Sequence, residues 1–249
     1  MVLFHRFAAS IRWLTDPQLF STTDATRLTT KRMLSPGGDA RQNVRAAFVE
    51  LASLTLLVEG IEWIAPVTDH PRAVYEVLAL LIVALLIVCF ARDGVSARDL
   101  GIRLDNIWAV LARISVPLFV FVLITVAVGL AAGTLRFGMR FYSMLLSVPF
   151  WAFLQQYMLL AYANRRLRVI VEGKSILATA VFFAVLHLPN PVLTLVCALG
   201  GYIWAREYER EPNLLANALT HAISSAFLAN SIPAPLLKNM VVGYNYFFR

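Results

Sequence analysis

The chain has 249 residues, of which 59% are hydrophobic and only 15% charged, with a mean hydropathy of +0.69. A soluble domain is about 45–50% apolar and about 25% charged, so a water-soluble globular protein is excluded and a membrane protein is indicated. The net charge of +7 does not form a nucleic-acid patch, because the basic residues fall between apolar runs and not along one polar face.

The first segment, 1–45, is a polar, basic arm with Arg6, Arg12, Arg27, Lys31, Arg32, Arg41 and Arg45. It lacks the apolar core of a cleavable signal peptide. Its stretch Val2–Leu14 is weakly amphipathic and suits the inner membrane surface or a loosely attached tail. From residue 46 onward, apolar runs near Ala46–Val67, Ala73–Phe90, Ile107–Ala132, Phe141–Ala163, Ile176–Leu188, Val192–Trp204, Leu214–Ile232 and Leu236–Phe248 predict about eight spans, the fifth, sixth and eighth being short. Pro66, Pro71, Gly133, Pro189, Pro191, Pro212 and Pro233 punctuate them. Arg92, Arg98, Arg103, Arg165, Arg166, Arg168, Lys174, Arg206 and Arg210 fall in alternate loops on the same side as the arm. The opposite loops hold Arg72, Arg136, Arg140 and Lys238. The positive-inside rule therefore predicts both termini in the cytoplasm. The fold expected is an all-α, polytopic transmembrane helix bundle, with residues 46–249 as one domain and no internal repeat. Cys89 and Cys197 lie in different spans and read as buried free thiols.

Within the first span Glu50, Glu59 and Glu62 stand out. Glu59 and Glu62 share a face, as interface residues or as a carboxylate source for a site elsewhere. Trp63, Trp108, Trp151 and Trp204 read as interface-belt or packing residues.

Four polar features interrupt the second half: Gln155-Gln156, His187 four residues after Phe183, Tyr208-Glu209-Arg210, and His221 with Ser225 one turn on and Asn217 one turn before. Ionisable rings at membrane depth cost free energy and so mark functional sites by default. The plainer reading is that the rings and amides bond neighbouring helices and only pack the bundle. A serine nucleophile beside His221 is disfavoured because no acidic residue lies at its depth in the sequence.

The order and spacing of these features over a core of residues 141–229 resemble the CPBP family of intramembrane proteases, which includes the CAAX-processing enzymes. Its pattern is Glu-Glu-x-x-x-Arg, then Phe-x-x-x-His, then His-x-x-x-Asn or Asp. Phe183 and His187 match the second motif and His221 begins the third. Gln155 and Gln156 stand in place of the glutamates, Leu160 in place of the arginine and Ser225 in place of the Asn or Asp. The resemblance implies a multi-pass protein of a bacterial inner membrane. It implies an endopeptidase that cleaves a membrane protein or lipidated peptide at the lipid bilayer, with no nucleic-acid partner. The implied catalytic set is Gln155, Gln156, His187, His221 and Ser225, with His187 and His221 as candidate ligands of a divalent metal such as zinc. A glutamine amide is not basic, so it orients water without taking its proton, and His187 is the remaining candidate base. Two competing readings are a catalytically silent relative that binds a membrane peptide or partner as a scaffold or immunity protein, and a transporter relaying protons through Glu50, Glu59, Glu62 and the histidines.

Overall fold

A computed structural model describes residues 40–248, and the amphipathic stretch expected at Val2–Leu14 lies outside them. Every regular element among the described residues is helical. The elements are α1 (Ala40–Glu59), α2 (Pro71–Asp93), α3 (Ile107–Ala131), α4 (Met139–Gln156), α5 (Arg165–Val171), α6 (Ser175–Val185), α7 (Pro191–Arg210), α8 (Leu214–Ser231) and α9 (Ala234–Leu237). Two of them, α2 and α3, are on length and composition alone apolar enough to cross a membrane. α6 has 11 residues, about 16 Å, well short of the roughly 30 Å hydrocarbon core.

The spans read from the sequence correspond to α1–α4 and α6–α8, but the last one does not hold. Leu236–Phe248 is broken into α9 and 3₁₀ turns, because Lys238, Asn239 and Met240 all adopt left-handed backbone. This segment stays at the end of the bundle where α8 finishes. The Asn190 amide, at the start of α7, donates to the carbonyls of Leu237 (2.8 Å) and Val241 (3.1 Å). The Gly243 N–H donates to Leu188 just after α6 (3.0 Å), and Gly243 packs so tightly on Glu62 that a Cβ would lie 2.5 Å from the Glu62 carbonyl oxygen. The C-terminus therefore does not return to the side where α1 begins.

The centre of the bundle is α8, which packs mainly on α3 and α4, while α6 pairs with α7 and α1 with α2 and α5. Small residues let these backbones approach. Ala218 and Ala222 of α8 cluster with Ala152 of α4, and a Cβ on Gly129 of α3 would lie 3.0 Å from Ser231 Cα. The start of α8 is fixed by Asn213. Its Oδ1 accepts from the Ala216 N–H (2.8 Å), while its Nδ2 donates to Asn106 Oδ1 (2.6 Å) and the Arg103 carbonyl (3.0 Å). This cap sets the rotation of α8 and thus the direction in which His221 points.

Candidate active site

His221 is 8% exposed and enclosed by three helices. From α4, Gln156 Nε2 lies 3.1 Å from His221 Nδ1. From α7, Trp204 stacks on the imidazole with ring centroids 4.6 Å apart, and its indole N–H donates to Thr220 (3.2 Å). From α6, Phe183 presents its edge to both histidines, 4.6 Å from His187 and 6.0 Å from His221 between centroids. The Phe183–His187 spacing that α-helical geometry predicts is also the basis of a bond: His187 Nδ1 donates to the Phe183 carbonyl at 2.7 Å.

The bond to the Phe183 carbonyl assigns the His187 ring hydrogen. A carbonyl only accepts, so His187 carries its hydrogen on Nδ1 and its Nε2 keeps a free lone pair. With the Gln156 amide assigned nitrogen-first toward the ring, His221 Nδ1 accepts and the neutral ring carries its hydrogen on Nε2. One ring offers a base and the other a donor.

Gln156 is fully buried and its Oε1 has no partner. Asn217, one turn before His221, gives one amide hydrogen to the Asn213 carbonyl (2.7 Å), and its Oδ1 is likewise unpartnered. An unpaired acceptor inside the protein costs about 1–3 kcal/mol. Directly after Gln156 the helix widens to a π-helix over Tyr157–Asn164, a local distortion common at functional sites.

The residues picked out from sequence separate here. Gln156, His187, His221 and the motif phenylalanine converge. Gln155, about 100° round the helix from its neighbour, is half-buried and makes no hydrogen bond. Ser225 is buried on α8 without a hydrogen-bond partner, and Leu160 is fully buried. Tyr208-Glu209-Arg210 is not a loop: it forms the last turn of α7, where Tyr208 donates to the Leu100 carbonyl (3.0 Å) and Glu209 accepts from Ser175 (2.7 Å). No hydrogen bond or ion pair joins Glu59 or Glu62 to either histidine among the described residues, and Glu50 is bound instead to Arg166 (3.0 Å) and Arg92. Catalytic zinc sites use three protein ligands. No group of three His, Cys, Asp or Glu gathers among the described residues.

One contributor escaped the sequence reading. Trp204 is 7% exposed and belongs to the site and not to an interface belt, unlike Trp108, which is 79% exposed. The signal available was its position four residues after Gly200, where a Cβ would lie 2.9 Å from the indole. Away from the histidines, toward the end of α7, Glu207 is fully buried and held by Arg113 of α3 at 2.7 Å, with Arg113 also reaching Glu211 at 2.8 Å.

Residues 138–227 match the Rce1-like family model, described as type II CAAX prenyl endopeptidase Rce1-like, and this domain falls within the CPBP group that the motifs resemble. The matched segment carries Gln156, Phe183, His187, Trp204 and His221. No curated protein and no solved structure is significantly similar to the chain.

Proposed function

We propose that this chain is an intramembrane endopeptidase that hydrolyses a peptide bond in a membrane-associated or lipid-modified protein, within a multi-pass bundle whose arginine-rich end faces the cytoplasm. The opposite hydrogen-bonding states of the two rings carry this reading, supported by the family match over the same residues. His187 Nε2 takes a proton from water as the water oxygen bonds to the scissile carbonyl carbon. The developing oxyanion is met by the His221 Nε2–H, and Gln156 and Trp204 hold that ring in place. When the carbon–nitrogen bond breaks, the proton on His187 passes to the leaving amine. The unpartnered Gln156 oxygen accepts a hydrogen from the water or from the substrate backbone.

The test is cleavage of membrane-anchored reporter peptides by the purified chain in detergent. Wild type should cut at least one reporter. His187→Ala should lose about 10²–10⁴-fold, the usual contribution of a general base, and His221→Ala about 10²–10³-fold, that of an oxyanion donor. Cutting by wild type that His187→Ala leaves unchanged would sink the assignment. A wild type and Gln156→Glu variant that both leave every reporter intact would favour the silent, peptide-binding relative.

A further inference from the structure

The chain also holds a cavity at the opposite end from its clustered arginines. α3 begins beside Glu207 and Glu211 and, at 1.5 Å per residue, its 25 residues carry the chain about 37 Å away. There the turn after α3, the first turn of α4, the end of α8 and the C-terminal segment enclose about 520 Å³. Arg136 and Arg140 line it together with Asn230, Asn239, Met139 and Leu237.

Charge balance sets this place apart. Near the other end Arg92, Arg113 and Arg166 each hold at least one carboxylate. Arg136 and Arg140 make no ion pair among the described residues, while the Thr134 hydroxyl and the Arg136 backbone N–H both donate inward, to the carbonyls of Ser231 and Asn230 on α8. No side chain caps α4, so its electropositive end opens at Gly138 on the same cavity. The far wall is a fixed one. Asn239 is held left-handed between Lys238 and Met240, and the Asn190 amide grips the carbonyls on both sides of that stretch. Met139 and Leu237 give the cavity an apolar side.

We infer that this cavity binds a single anionic phosphate group, beside an apolar wall formed by Met139 and Leu237. The anion is neutralised by Arg136 and Arg140. The inference is independent of the peptidase reading. Two sources share this chemistry, a membrane lipid headgroup and a free phosphate-bearing solute, and they are separable.

The full chain in a neutral detergent is titrated with a short-chain phosphatidylglycerol, the phosphatidylcholine of equal chain length, and sodium phosphate. The anionic lipid should bind about tenfold tighter than the zwitterionic one, the size of one charged hydrogen bond. Arg136→Gln/Arg140→Gln should erase the difference, as should most of Arg140→Gln alone, whose exposed side chain makes misfolding a poor explanation. Displacement of the anionic lipid by millimolar sodium phosphate identifies the headgroup charge alone as sufficient and a free solute as the source. No displacement identifies the lipid. Equal affinity for the two lipids with no phosphate binding overturns the inference, and so does a double variant that keeps the preference.

Discussion

The carbonyl of Phe183 has no hydrogen to give, and from that the chemistry of the cavity is ordered. It compels His187 to donate from Nδ1, and with the Gln156 amide nitrogen toward the ring the opposite arrangement falls on His221. Gln156→Glu should reverse the second ring, because a carboxylate accepts from Nδ1–H. That variant would gain a base and lose the His221 donor. We expect its cleavage rate to gain the bell-shaped pH dependence of a carboxylate–imidazole pair, checked by rate measurement from pH 5 to 9. Gly200→Ala should push the Trp204 indole toward His221 and lower cleavage by up to about 10²-fold, the cost of roughly 1 Å of misplacement, with the unfolding midpoint little changed. At this scale the sequence carried the motif spacing, since i, i+4 positions share a helix face. It did not carry the tautomers, which depend on partners from other helices, nor Trp204, whose role needs α7 to lie against α8.

Helix ends hold the elements in register, and asparagines do most of that. Asn190 accepts from the Leu193 N–H (3.1 Å) as the cap of α7 and donates to two carbonyls of the C-terminal segment. Asn190→Ala removes a cap and orphans buried carbonyls, so it should lower stability by about 2–4 kcal/mol and free the segment beyond Leu237. Thermal unfolding and limited proteolysis would register both. An intact segment in that variant would show that Gly243 and the Trp63–Phe247 contact (6.3 Å between centroids) suffice. The helices were legible as apolar runs bounded by Pro and Gly. The broken C-terminal run was not, because Leu236–Phe248 is mostly apolar and its turns arise from three consecutive left-handed residues, Lys238, Asn239 and Met240.

Across the whole molecule the chain alternates between two ends of different character. One end gathers paired charges: Arg166 with Glu50 and Asp93 (both 3.0 Å), and Arg113 with Glu207. The other carries Arg136 and Arg140 over the anion cavity. The charge asymmetry could be read from the sequence through the lysine and arginine counts. The pairing could not, since Arg113 and Glu207 are 94 residues apart. Arg113→Ala leaves Glu207 buried without a partner and should cost about 3–5 kcal/mol, seen as a lowered unfolding midpoint in detergent. Arg113→Ala/Glu207→Gln should recover much of it. The central claim is that the two rings hold opposite hydrogen placements, one base and one donor. Nitrogen-15 NMR of ring-labelled protein at neutral pH, with His187→Ala and His221→Ala to assign the signals, measures this directly. The account predicts a Nδ1–H ring for His187 and a Nε2–H ring for His221; two rings in the same state, or either one as an imidazolium, would contradict it.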